Sequence, residues 1–120
     1  MEREVERAQF SLTPQAPMRA RHWADGVIDL DPDIQATVIL LLSELVANSL
    51  EHSGVGPSED VDVLIAWTDK GAHVEIRDPG PGAHIQPSDA ADHWGLRIVD
   101  SLASRWGVRH DPTTVWFDVG

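Results

Sequence analysis

Between Asp31-Pro32 and Gly54 lies a long segment whose middle is apolar on nearly every side: Ile34, Val38, Ile39, Leu40, Leu41, Leu42, Leu45, Val46, Ala47 and Leu50. Asp31 can cap a helix, Pro32 fits the first turn and Gly54 suits the end. The spacing predicts one helix over Pro32–Ser53. A helix apolar all round is a buried helix, so other elements must cover most of its circumference. Glu44, Asn48, Glu51 and His52 interrupt the apolar surface, and their offsets place them on one face. Polar groups on a buried helix face water, a partner or a ligand, because burial without a partner costs about 1–3 kcal/mol per group. Taken alone, the stripe is equally a solvent face.

The rest of the chain supplies the cover. Phe10–Thr13 alternates and stops at Pro14, as a short edge strand does, and the charged stretch 1–9 before it reads as a flexible terminus. Pro17–Val27 has helical spacing. Val61–Thr68 and Ala72–Asp78 read as strands joined at Asp69-Lys70-Gly71, a hairpin signal. Gly95–Arg105 reads as a helix, and Trp106–His110 and Thr114–Val119 as a closing pair of strands. Trp116 and Phe117 are adjacent, so they point to opposite faces of their sheet and one packs under the helices. The order is that of an α+β two-layer sandwich, mostly antiparallel sheet with helices on one face. With 120 residues, residues 10–120 make a single domain.

Composition excludes several functions. Asp and Glu number 20 against 9 Lys and Arg, a formal net charge of -11, which opposes bulk binding to nucleic acid or anionic lipid. Cysteine is absent, so disulfides, thiolate metal sites and cysteine nucleophiles are excluded. No apolar run is longer than Val38–Leu42, which is far short of the ~20 residues of a membrane span, and no leader-like run opens the chain. The expectation is a cytoplasmic protein. The six histidines are scattered without metal-ligand spacing. No G-x-x-x-x-G-K-[ST] loop exists, and the single lysine, Lys70, sits in a hairpin turn. A nucleotide bound here needs another architecture.

Two further segments suggest one. Asp78-Pro79-Gly80-Pro81-Gly82 follows directly on a strand, placing a carboxylate beside glycines that permit close backbone approach. Gly95 opens a helix, whose N-terminus offers free N–H groups to an anion. Each is weak alone, since most turns and helix starts bind nothing. Together, in this order, they resemble a family. Glu44-Leu45-Val46-Ala47-Asn48-Ser49-Leu50-Glu51-His52-Ser53 looks like the N box of the GHKL ATPases, and Asp78–Gly82 like their D-x-G-x-G box. Gly95–Ala103 looks like the glycine box after the nucleotide lid, and Thr113–Phe117 like the closing strand. The chain most resembles stand-alone anti-sigma factor serine kinases of Gram-positive bacteria, over Phe10–Val119.

The resemblance implies a Bergerat fold binding ATP and Mg²⁺, phosphorylation of a serine on a STAS-domain anti-anti-sigma partner, sequestration of a sigma factor, and a homodimer. By position, Asn48 would give its side-chain oxygen to Mg²⁺, and Glu44 would orient or deprotonate the attacking hydroxyl. Asp78 would accept from the adenine amino group. Gly80 and Gly82 would let base and lid approach. Gly95 and Leu96 would present the helix start to phosphate, His52 would join the nucleotide contacts, and Thr114 would add a hydroxyl near adenine. The third box departs from Gly-x-Gly-Leu, with His93 in place of the first glycine. A sensor histidine kinase would add a longer lid and a phospho-acceptor segment. The alternative reading is a non-catalytic Bergerat-fold binding module with weak or no ATP turnover.

Overall fold

A computed structural model of the chain describes residues 3–52, 59–78, 94–110 and 112–120; of His52 and Trp94 only the backbone is described. A five-stranded antiparallel sheet has the order β1-β2-β3-β5-β4, with β1 Glu4–Ser11, β2 Asp60–Thr68, β3 Gly71–Arg77, β4 Arg105–Arg109 and β5 Thr114–Val119. Helices α1 (Ala16–Val27), α2 (Pro32–His52) and α3 (Trp94–Leu102) cover one face. Helix α2 lies centrally over β3 and β5, with α1 beside β1 and α3 beside β4. This is the two-layer α+β arrangement that the hydrophobic pattern implies.

Helix α2 begins as its sequence dictates. The Asp31 carboxylate accepts the N–H groups of Asp33 at 3.1 Å and Ile34 at 3.4 Å, satisfying donors that a helix start leaves open. By length and hydropathy, Pro32–Glu51 could cross a membrane. Here Val38, Leu41, Leu42 and Val46 are fully buried against the sheet, and the core forms between them and Val63, Ile65, Val74, Ile76 and Phe117. Leu40, by contrast, is 40% exposed, so the helix is covered on one side rather than all round.

Two elements differ from the sequence expectation. The first is the start of the chain: Glu4–Gln9, expected to be frayed, pairs residue by residue with β2, from Glu4↔Trp67 to Ser11↔Asp60. Ala8 and Phe10 face the helices, and the Phe10 ring meets Trp23 of α1 edge to face at 5.7 Å. The second is α3, which ends at Leu102 rather than Arg105. Ser104 donates its N–H to the Asp118 carbonyl at 2.7 Å, and Arg105 is already paired with β5. Strand pairing there takes precedence over one more helical turn.

The sheet face away from the helices is organised in rows, because directly opposed residues share a face. One row is Gln9, Asp62, Arg77, Thr114 and Arg109; the next is Arg7, Leu64, Glu75, Trp116 and Gly107; a third is Val5, Ala66, His73, Asp118 and Arg105. Trp116 lies on this face while Phe117 is fully buried under the helices, the division expected of adjacent aromatics.

Candidate functional site

The polar stripe of α2 provides the site's centre. Asn48 is 7% exposed and its side chain makes no hydrogen bond with any described residue. Among the described residues, the one fully enclosed side-chain polar atom without a partner is Thr13 Oγ1. The Asn48 amide is therefore not fully sealed by the described residues. An amide so buried, with no partner among the described residues, has hydrogen-bond energy that a ligand can supply. Glu44 stands one turn earlier and is half-buried. Ser49, next to Asn48, is also buried, at 6%.

Helix α3 brings its first turn to the same place. Gly95 packs on α2 so closely that a Cβ there would lie 3.3 Å from the Glu44 carbonyl oxygen and 3.8 Å from the Glu44 Cβ. The N-terminal N–H groups of α3, with their positive dipole end, thus sit beside the Glu44–Asn48 stripe. Leu96 is fully buried; its side chain anchors the helix start, and only its backbone is placed to serve a ligand.

The strand ends supply the third part. Asp78 follows β3, is 5% exposed, and donates its backbone N–H to the Thr113 carbonyl at 2.9 Å. Continuing the β3–β5 register, Asp78 stands opposite Thr113, on the face that carries Ile76 and Val115 under the helices. Thr114 is one residue further and so points the other way. Its hydroxyl donates to the Pro112 carbonyl at 3.1 Å, and it lies in a row with Arg77 and Arg109 on the open face. Thr114, expected to add a hydroxyl near the base, therefore lies on the face away from Asp78, and Thr113 is the threonine that shares the Asp78 face. The signal was in the sequence, since Thr113 shares odd-numbered phase with Val115 and Phe117. Gly80, Gly82, His93 and the His52 side chain lie outside the described residues.

A depression of about 640 Å³ on the open face is lined by Arg7, Asp62, Glu75, Arg77, Arg109 and Thr114, among others. None of Glu44, Asn48 or Asp78 lines it, so it is separate from the helix-side site. Four of its charges are paired. Arg77 donates Nε to Asp62 at 2.9 Å, and Arg109 donates to Glu75 at 2.7 Å. His73 lies between Glu75 at 2.8 Å and Asp118 at 2.5 Å. Burial alone would raise the Glu75 carboxyl, but the hydrogen bonds from His73 and Arg109 outweigh it and hold it below the usual carboxylate range. Among the described residues no cluster of His, Asp and Glu could hold a metal by side chains alone.

The model of the histidine kinase-like ATPase domain matches residues 9–118. The chain belongs to that family. It is 36% identical over 76 residues to the sensor histidine kinase DcuS of Escherichia coli K12, and equally to that of Shigella flexneri. The match covers 63% of this chain and 13% of each relative, so the chain spans a small part of those proteins' length. In fold it is similar to the crystal structure of the RsbU and RsbW domains of Rv1364c from Mycobacterium tuberculosis. That likeness has a TM-score of 0.75 at 20% identity, covering 97% of this chain and 32% of that one. The ATPase family and the GHKL class of fold agree with the resemblance carried by the sequence boxes.

Proposed function

We propose that this chain is the ATP-binding kinase of an anti-sigma system: it transfers phosphate to a serine of a STAS-domain anti-anti-sigma protein and sequesters a sigma factor, in the cytoplasm. The observation that carries the reading is Asn48, a buried amide with no hydrogen-bond partner among the described residues, one turn from Glu44 and beside the start of α3. The likeness in fold to a chain containing an RsbW domain supports the kinase class, and a homodimer accords with the same class.

The residues fit the ligands that the family implies. Mg²⁺ prefers oxygen donors and few protein ligands, which suits one side-chain oxygen from Asn48; bound with ATP, it neutralises developing phosphate charge. Glu44 holds the serine hydroxyl and accepts its proton. The α3 N–H groups near Gly95 receive phosphate oxygens. Asp78 accepts a hydrogen bond from the adenine amino group, which guanine lacks at that position, and Thr113 stands beside it.

The test has two steps. Equilibrium titration with Mg-ATP should saturate for the wild type and fail for folded Asp78→Asn. Labelled γ-phosphate should then appear on the serine of a STAS-domain protein. Near-normal ATP affinity in Asp78→Asn overturns the adenine assignment. ATP binding without transfer to any STAS-domain serine overturns the kinase and leaves the non-catalytic module.

A further inference from the structure

The two edges of the sheet are built differently. On the helix side of β1, the end of the edge carries Glu4 and Glu6. Charges pointing where an added strand would bring apolar side chains protect an edge from pairing. Strand β4 has no such device. Its helix-side residues are Trp106 and Val108, both half-buried, and Leu102, at the end of α3, is 47% exposed beside them. On its other side stand Arg105 and Arg109, with side chains 77% and 55% exposed. Gly107 lies between them, its space taken by the Trp116 ring. Among the described residues, no strand lies beside β4 on its outer edge.

We propose that the free edge of β4 receives an extended segment of a partner protein with the pattern acidic, apolar, any residue, apolar, acidic. The period of a strand dictates the pattern. Positions on one side of the added strand meet Arg105 and Arg109, the position between them meets Gly107, and the intervening positions cover Trp106 and Val108 and reach Leu102. Arg105 gives one hydrogen bond to Asp118 and Arg109 one to Glu75. A guanidinium has five N–H donors, so each retains donors for a second carboxylate. A second copy of this chain does not fit the same edge. Antiparallel pairing centred on Gly107 would set Arg105 opposite Arg109 of the copy, twice over, and like charges directly opposed destabilise a pair. This site shares no residue with the nucleotide site proposed above and stands or falls independently.

The experiment uses labelled peptides with a Glu-Val-Ser-Val-Glu core, read by fluorescence anisotropy and by amide NMR shifts of the intact chain. Binding should saturate, with the largest shifts at Arg105–Arg109. Reversing both acids to lysine, or reordering the core to Glu-Glu-Ser-Val-Val, should weaken binding at least about threefold to tenfold. Methylating the backbone nitrogens that face β4 should abolish it, a change that leaves the protein untouched. The variant Arg105→Gln with Arg109→Gln should lose affinity to a similar extent while melting as a folded protein. The proposal is overturned if no β4 shifts appear at about 1 mM peptide, if the lysine or N-methylated peptide binds equally well, or if the shifts fall on β1 instead.

Discussion

Gly95 and Glu44 meet backbone to backbone: a Cβ at position 95 would stand 3.3 Å from the Glu44 carbonyl oxygen. That approach seats the start of α3 against the helix carrying Glu44 and Asn48. Gly95→Ala needs the helices to part by a few tenths of an ångström. Gly95→Val adds two methyl groups and needs more. The valine variant should lose about 1–3 kcal/mol of stability and most of its ATP affinity, with alanine between it and wild type. Urea unfolding and ATP titration on the three proteins check this ordering; a valine variant as tight as wild type would mean that the close seat is not required.

Glu44→Gln and Asn48→Ala should fail differently. Glutamine keeps the shape of Glu44 but cannot take a proton, so ATP binding should survive while phosphotransfer falls by about 10²–10⁴-fold. Asn48→Ala removes an oxygen donor, so its effect on ATP affinity should appear with Mg²⁺ and vanish in EDTA. An identical loss of metal-free binding in both variants would contradict the division of roles.

Thr113 and Thr114 are adjacent but face opposite sides of the sheet. Thr113→Val should weaken ATP binding, by about 1 kcal/mol if one hydrogen bond is lost. Thr114→Val should leave binding unchanged, because that hydroxyl is spent on the Pro112 carbonyl. Isothermal titration of both variants decides the pleat assignment, and the reverse result would restore Thr114 to the site.

The contrast between these residues shows which parts of the molecule are legible in sequence. Helix α2, its Asp31 cap and its polar stripe depend on local spacing, and they stand where that spacing puts them. Strand β1 was not legible, because Glu4, Glu6 and Arg7 resemble a solvated tail. What makes them a strand is a register of pairs with β2, more than fifty residues away, and no local signal carries that. The facing of Thr113 against Thr114 depends on pleat phase, which the apolar alternation of Val115, Phe117 and Val119 does record. The early end of α3 follows from the demand of β5 for Arg105, again a non-local choice.

Gly107 faces Trp116 across the β4–β5 pair, and a Cβ there would fall 2.8–2.9 Å from three atoms of the indole ring. The ring fills the space over the glycine, so Gly107→Ala must displace it. The expected cost is about 1–3 kcal/mol. In Trp116→Ala the obstacle is gone, and adding Gly107→Ala should then cost little. A double-mutant cycle by urea unfolding measures this coupling; additive effects would show that the ring yields freely.

Glu75 links the open-face network to pH. It accepts hydrogen bonds from His73 and Arg109, which outweigh its burial and hold its carboxyl below the ordinary value of 4.5. A carboxyl depressed in the folded state contributes stability that is fully present above its unfolded pKa and is lost as pH falls through the folded one. Glu75→Gln cannot titrate. The stability gap between wild type and Glu75→Gln should therefore shrink as the pH falls below about 4.5. The other carboxylates titrate in both proteins, so their contributions largely cancel in the difference. Urea unfolding at a series of pH values gives the gap directly. A gap that stays constant down to about pH 3.5, or widens there, would show that the hydrogen bonds to Glu75 do not favour its charged form.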